Sequence, residues 1–152
     1  MTATVTERGK REEQLVAFYL AAETYGIDIA AIQEIIRLPE ITPLPRANAD
    51  VEGVINLRGR IVPILNLRTH LGLPVVEYAA ATRVIVVEVG ENTVGLIVDG
   101  VTGVLRLPTA SIEAPSDLVS AVDENHIRGV GKAGDTLVIL LNVESILSRD
   151  AA

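Results

Sequence analysis

The chain has 152 residues and a formal net charge of −7, and 49% of its residues are apolar while only 3% are aromatic. That apolar content excludes a disordered chain and suits one compact domain with a packed interior. The negative charge argues against a general binder of nucleic-acid phosphates, and the lack of cysteine excludes disulfides, thiolate metal sites and cysteine nucleophiles.

Residues 1–13 are polar and lack the apolar stretch of a signal peptide, which predicts a flexible N-terminal tail and a cytoplasmic location. No apolar run in the chain approaches the ~18 residues that a membrane helix needs. We therefore expect residues 14–150 to form a cytoplasmic domain that does not insert into a membrane.

Beyond this tail, short apolar runs rich in Val and Ile alternate with turn signals, a pattern typical of short strands. The expected turns fall at residues 23–24, 58–59, 90–92 and 133–135. Residues 30–36 fit either a strand or a helical turn, because three of their isoleucines have helical spacing in a short run. Short helices are expected after Asn66 and after Asn142.

The chain contains two copies of one unit. Residues 15–20, 25–29 and 37–39 recur sixty-nine residues later, and residues 53–54 and 61–67 recur seventy-six residues later. Such an ordered set of matches is the signature of an internal repeat. Gly26 and its counterpart Gly95 lie inside predicted strands, where glycine indicates a bend or a close backbone approach. Each copy has four or five short strands, enough to close a small barrel, so we expect two similar barrels.

A glycine-rich run at residues 129–134 fits the G-x-G-x-x-G pattern of dinucleotide-binding loops. Such a loop needs a helix after it, whose N-terminus holds the pyrophosphate. Here a strand-like apolar run follows instead. We interpret the run as a glycine-rich hairpin and expect no cofactor.

His70 and His126 are the two histidines of the chain and lie at non-equivalent places in the two copies. Surface or loop positions are therefore expected for them, not a metal site. None of the serines has the surroundings of a nucleophile elbow, and no pair of carboxylates is predicted on a strand face. We expect a protein that is not an enzyme.

Asn56, Leu57, Arg58 and Gly59 lead into a hairpin turn between two apolar strands. An ordinary hairpin with charged tips would explain this turn. The corresponding turn of the second copy, however, lacks the arginine. Since the two copies share a fold, a residue that only one of them has can reflect use. Arginine there can make a two-point contact to a partner carboxylate or carbonyl.

Residues 27–36 contain five isoleucines separated by polar residues. Most of these isoleucines are expected in the core. If one or two of them stay at the surface, they would form an apolar groove beside Glu34 that suits a partner helix. The residues alone leave both interpretations open.

Taken together, these motifs resemble the CheW family of bacterial chemotaxis adaptors, from about Gln14 to Leu147. The resemblance is carried by residues 25–29, 33–35, 53–59, 61–68 and 94–101. Many family members have aspartate where this chain has Asn66. The resemblance implies a mainly β fold of two small five-stranded SH3-like barrels that share a hydrophobic core, with short helices. The barrel subdomains are expected at about residues 14–75 and 82–147, intertwined at their boundary.

The activity that the resemblance implies is scaffolding. The partners would be the regulatory domain of the histidine kinase CheA and the cytoplasmic helical tip of methyl-accepting chemoreceptors, at the inner face of the membrane. Arg58 and Glu34 look like function-bearing positions. Ile29, Ile32 and Val104 look like candidates for a receptor-facing groove between the barrels.

Arg83 stands at a position that is often apolar in the family, so the candidate site is not extended to it. A rival within the same fold is a stand-alone kinase regulatory domain or the adaptor half of a CheV protein, although no receiver or kinase sequence is present. A rival from another class is a barrel that binds a small ligand or RNA. The acidic charge and the scarcity of aromatic residues disfavour stacking on bases.

Overall fold

A computed structural model describes residues 3–5, 11–45, 50–114 and 126–151. The strands in these residues are β1 Ala3–Val5, β2 Arg11–Leu20, β3 Glu23–Asp28, β4 Ile32–Arg37, β5 Val51–Leu57, β6 Arg60–Asn66, β7 Arg83–Val89, β8 Asn92–Val98, β9 Gly100–Pro108, β10 Ile127–Ala133 and β11 Thr136–Leu141. The helices are α1 Leu67–His70 and α2 Val143–Ala151, and 3-10 turns span Ile29–Ala31 and Thr109–Ser111. None of the described helices is long and apolar enough to cross a bilayer.

The strands form two sheets. The first has the order β1-β2-β3-β11-β10 with β9 paired to β2, and the second has the order β4-β7-β8-β6-β5. Thr42, just after β4, exchanges two backbone hydrogen bonds of 2.9 Å with Val54 of β5. Glu113, beyond β9, exchanges bonds of 2.9 and 2.8 Å with Val130 of β10. These bridges close both sheets, which confirms the mainly β fold of two five-stranded barrels; β1 is an additional strand on the first.

Each barrel takes strands from both copies of the repeat. The first barrel combines β2 and β3 with β9, β10 and β11, and the second combines β7 and β8 with β4, β5 and β6. The two parallel strand pairs have matching registers, with Gly26 opposite Leu140 in one and Gly95 opposite Ile64 in the other. The ranges 14–75 and 82–147 thus describe the copies along the chain, while the sheets are assembled across them. The division into domains stays a prediction.

Side chains pack closely against both strand glycines. A Cβ atom on Gly95 would lie 2.5 Å from Ile64 Cδ1 and 2.7 Å from Val84 Cγ1. A Cβ atom on Gly26 would lie 3.2 Å from Val138 Cγ1. Side chains of the neighbouring strands thus fill the space that a Cβ atom would take at both positions.

A shared core lies between the two barrels. Phe18 and Tyr25 of the first barrel stack with ring centroids 5.9 Å apart, and they belong to the same buried cluster as Leu65 and Ile85 of the second barrel. Two smaller clusters fill the barrel interiors, one around Ile64 and Val84 and one around Leu15 and Leu140. The alternation of faces along each strand explains this division, because every second residue points toward the partner barrel.

The expected helices after Asn66 and Asn142 are confirmed. The Asn66 side-chain oxygen accepts a hydrogen bond of 3.3 Å from the backbone N–H of Thr69. The Asn142 oxygen accepts one of 3.1 Å from the N–H of Ser145. Both asparagines thus act as N-caps, since each satisfies a free N–H of the first turn.

Two local expectations differ from the structure. The turn between β2 and β3 lies at Ala21 and Ala22, and the expectation of a turn at residues 23–24 was wrong because both residues belong to β3. Ala21 has φ 56°, a conformation that is uncommon for alanine, so the sequence gives no signal for a turn at this residue. Within the expected flexible tail, Ala3–Val5 forms β1 and pairs with the start of β2; the other residues before Arg11 lie outside the described part.

The expectation of surface or loop histidines was also wrong. His70 and His126 are 8% and 1% exposed, and their rings lie 5.0 Å apart. His70 Nδ1 contacts the carboxylate of Asp50, and His126 Nδ1 lies 3.1 Å from Ser145 Oγ. Polar partners offset the free-energy cost of burying an imidazole. These partners are distant in the sequence, so the sequence alone does not indicate them.

Candidate functional site

The tip of the β5–β6 hairpin presents Arg58. Arg58 and Gly59 form the two-residue turn with φ values of 51° and 87°. The side-chain oxygen of Asn56 accepts a hydrogen bond of 2.8 Å from the N–H of Gly59 and so closes the turn. A left-handed conformation is uncommon for a residue with a side chain. The turn therefore holds Arg58 in a backbone state that glycine would adopt with less strain.

Arg58 forms a two-point ion pair with Glu34 of β4. Its Nη1 donates to Oε1 at 3.2 Å, and its Nη2 donates to Oε2. The hydrogen bond to the Glu34 carboxylate, and then its charge, raise the pKa of the Arg58 guanidinium. The Arg58 side chain is 72% exposed and that of Glu34 is 24% exposed. The pair therefore orients a cation at the surface and contributes little to stability.

A β-bulge places Glu34 beside Arg58. Ile32 lies opposite Val87 and Glu34 lies opposite Val86, so two residues of β4 oppose one of β7. Without the extra residue, Ile32 and Glu34 would face the same side of the sheet. With it, Ile32 packs against the shared core while Glu34 faces the other side, toward the hairpin tip.

The first barrel lacks an equivalent ion pair. Sixty-nine residues after Glu34 stands Gly103, and seventy-six residues after Arg58 stands Gly134. The register supports the first equivalence, because Gly103 lies opposite Ala17 as Glu34 lies opposite Val86. The Arg58–Glu34 pair is thus a property of one barrel and is not required by the fold.

The other candidate residues differ in their exposure. Ile32 is partly buried against the shared core, and Val104 of β9 is 58% exposed. Ile29 is half-buried in the 3-10 turn that precedes β4, where Asp28 accepts a hydrogen bond of 2.9 Å from the N–H of Ala30. We give the name inter-barrel groove to the surface on which the resemblance places a partner helix, with Ile29, Ile32 and Val104 as its candidate residues.

Ile35 is a further candidate that the sequence analysis did not single out. It is 38% exposed and is the counterpart of Val104 by the sixty-nine-residue offset. The cross-strand pair of Ile35 with Ile85 matches the pair of Val104 with Val16. Applying the repeat to Val104 would have found it.

Strand β4 connects the two parts of the candidate site. Glu34 faces the hairpin tip, and the next residue, Ile35, lies on the opposite face of the strand beside Ile85 of the shared core. A movement of β4 would therefore affect both the ion pair and the groove. The bulge at Gln33 sets which face each residue takes.

The described residues contain no group of three His, Asp or Glu side chains that could hold a metal ion. A surface cleft of about 380 Å³ lies beside Arg60 and is lined partly by Ile61, Pro63 and Val94. Its walls are mainly apolar. The Arg58–Glu34 pair lies outside it.

The chain is similar to chemotaxis proteins over most of its length. The family model described as the CheW-like domain matches residues 14–151. Chemotaxis protein CheW of Klebsiella aerogenes is 36% identical over 138 residues, which are 91% of this chain and 83% of that protein. Chemotaxis protein CheW of Treponema pallidum is 33% identical, over 89% of this chain and 82% of that protein.

A solved structure has the same fold. The crystal structure of the scaffolding protein TtCheW from Thermoanaerobacter tengcongensis superposes with a TM-score of 0.82 at 33% sequence identity. The match covers 91% of this chain and 89% of the other.

Proposed function

The chain belongs to the family of CheW-like chemotaxis adaptors, and from this premise we propose that it couples methyl-accepting chemoreceptors to the histidine kinase CheA in signalling arrays. In this role it binds the regulatory domain of the kinase and the cytoplasmic tip of the receptor. It works in the cytoplasm, at the inner face of the membrane, and catalyses no reaction.

The observation that carries the proposal is the Arg58–Glu34 pair. An exposed guanidinium is held by a carboxylate at a hairpin tip, on a strained backbone, in one of two otherwise equivalent barrels. Residues in such sparsely populated conformations persist where the surrounding structure holds them there, and they cluster at functional sites. A fixed arginine suits a two-point contact with a carboxylate or carbonyl of a partner protein.

The inter-barrel groove supports the second contact. Two apolar side chains there, Ile35 and Val104, are 38% and 58% exposed, and their cross-strand partners Ile85 and Val16 are buried. An apolar strip between two packed barrels fits the apolar face of a helix. In our proposal the helical receptor tip occupies this groove and contacts Ile29, Ile32 and Val104. Arg58 and Glu34 contact either the flank of the receptor tip or the surface of a second protein.

Reconstitution tests the proposal. The purified chain is combined with CheA and with the cytoplasmic fragment of a receptor from the same organism, and phosphorylation of the kinase is followed with and without the chain. We expect the chain to bind each partner separately and to be needed for full kinase activation by the receptor. Failure to bind either partner would reject coupling, and so would full activation in its absence.

A further inference from the structure

Two arginines lie directly opposite each other beside the inter-barrel groove. Arg37 ends β4, Arg83 begins β7, and the two are cross-strand partners. Like charges in such positions destabilise a sheet. Neither forms an ion pair with any carboxylate of the described residues. The fold therefore places two cations side by side, and no carboxylate of the described residues neutralises either of them.

The pair lies on the groove side of the sheet. Arg37 and Arg83 are two positions from Ile35 and Ile85, and alternate residues of a strand share a face. Ile85 belongs to the shared core, and Ile35 lies at its exposed edge. The groove wall formed by β4 and β7 thus runs from apolar side chains to a positively charged end.

The corresponding position in the first barrel carries less charge. There Gln14 of β2 lies opposite Arg106 of β9, so one cation stands where the second barrel has two. The doubled charge is therefore not required by the repeated architecture, just as the Arg58–Glu34 pair is not.

Contacts within the chain fix the Arg83 guanidinium. Its Nη1 donates hydrogen bonds of 2.8 Å to the carbonyl oxygens of Ala80 and Thr82. The guanidinium has five N–H donors in a planar fork, so the edge formed by Nε and Nη2 stays available for a second group. A donor edge held in advance binds a carboxylate with less loss of side-chain entropy.

We propose that Arg37 and Arg83 bind carboxylate side chains on the flank of the helix that occupies the inter-barrel groove. The apolar stripe of this helix covers Ile35 and Val104, and acidic residues at its edge meet the paired arginines. The inference rests on the proposed function, in which the helix belongs to the receptor tip, and it adds the acidic residues by which this chain would select its receptors.

The test measures binding of the purified cytoplasmic receptor fragment to the full chain by titration at low and at moderate salt. Arg37→Gln removes one charge and should weaken binding about tenfold, which is about 1.4 kcal/mol. Arg37→Glu should weaken it further, because it places a carboxylate against a carboxylate. Lys132→Gln removes an exposed charge from β10 and serves as the control, with binding unchanged. Salt should weaken the wild type more than Arg37→Gln.

Each outcome decides a separate question. A wild-type chain that does not bind the fragment rejects the proposed function, and this inference with it. A wild type that binds, with Arg37→Gln and Arg83→Gln binding equally well, leaves coupling intact and overturns the role of the arginines. Equal weakening by Arg37→Gln and Arg37→Glu would show that the helix flank is not acidic and would also overturn it. If Arg83→Gln fails to fold, the Arg37 variants decide alone.

Discussion

Arg58 and Gly134 occupy equivalent turn positions in the two barrels, and both have positive φ, 51° and 62°. Glycine adopts this conformation readily, whereas a residue with a Cβ atom does so at a cost. The first barrel has the less strained residue at its turn. The second barrel has the strained one together with Glu34, its ionic partner on β4. The residue that we assign to partner binding is thus also the one with the less favourable backbone conformation.

Arg58→Ala should separate binding from folding. Its side chain is solvated apart from Glu34, so the melting temperature should stay within about 2 °C of wild type, as for ordinary surface sites. Binding to the kinase–receptor assembly should weaken more than tenfold. Arg60→Ala is the matched control at the same hairpin, where Arg60 donates to Thr93 Oγ1 at 2.9 Å, and it should change binding much less. Unfolding of Arg58→Ala would make the residue structural.

Arg58→Gly should remove the strain as well as the side chain. We expect a melting temperature equal to or above that of the wild type, with partner binding as weak as in Arg58→Ala. Arg60→Gly, at the first residue of β6, should instead lower the melting temperature, because glycine weakens a strand. A loss of thermal stability in Arg58→Gly would show that the ion pair stabilises the fold more than the turn strains it.

Glu34→Gln should weaken partner binding less than Arg58→Ala, because the guanidinium remains but is no longer held. In a double-mutant cycle of binding titrations, the combined variant should bind no more weakly than Arg58→Ala alone. Additive losses would mean that Glu34 contacts the partner itself and does not act through Arg58. Circular dichroism of all three variants checks that each is folded.

The two strand glycines should differ in their tolerance of alanine. A Cβ atom on Gly95 meets Ile64 and Val84 at 2.5 and 2.7 Å, so Gly95→Ala should lower the free energy of unfolding by about 1–3 kcal/mol. Gly26→Ala meets its nearest neighbour, Val138, at 3.2 Å and should cost less. Urea denaturation of both variants compares them directly. Equal losses would indicate that the barrels adjust to crowding to the same extent.

Acid should remove the contribution of the Arg68–Asp99 pair. Arg68 donates from Nε and Nη2 to the Asp99 oxygens at 2.9 and 2.6 Å, and the N–H of Ala21 donates to the same carboxylate at 2.9 Å. Burial opposes the charge of Asp99, but the bonds from Arg68 and Ala21 prevail and lower the pKa of that carboxyl. The ionised form thus stabilises the folded state above the unfolded pKa of about 3.9 and stops doing so as pH falls through the lowered value.

Asp99→Asn should accordingly lower the free energy of unfolding by about 1–2 kcal/mol at neutral pH, an amount reduced by partial exposure of the pair. The difference from wild type should shrink as the pH falls below about 4. Urea unfolding across this range measures it. If the two proteins differ in unfolding free energy as much in acid as at neutral pH, the substitution acts through the shape of the side chain and not through its charge.

The repeat allowed much of the fold to be predicted from sequence. Gly26 and Gly95 were identified as positions of a bend or a close approach, because glycine inside an apolar strand run marks such a place whatever its neighbour. Asn66 and Asn142 were placed before short helices, and each caps the turn that follows it directly in the chain. The exchange of strands between copies was not resolved, since the apolar pattern of a strand is the same whichever partner it pairs with. The buried histidines were missed for a related reason, because Asp50 and Ser145 become their neighbours only after folding.

At the candidate site, sequence identified the residues but not their geometry. Arg58 and Glu34 were singled out separately, and nothing in the chain indicated that the bulge at Gln33 would bring them together. A bulge is set by pairing across strands, which single-strand periodicity does not report. The cross-strand pairing of Arg37 with Arg83 was hidden in the same way.

The exchange of strands between the two copies of the repeat also sets the order in which the barrels can fold during synthesis on the ribosome. The second barrel needs residues 32–98, all of which emerge in one continuous stretch. The first barrel needs β3 to meet β11, with Gly26 opposite Leu140, so its opening strands must wait for almost the whole chain to be translated. We expect the barrel that carries Arg58 to fold first on the nascent chain. Until the last strands arrive, Phe18 and Leu20 lack Ile139 and Leu141 of β11, which belong to the same buried cluster, so their apolar side chains stay accessible to chaperones during this interval.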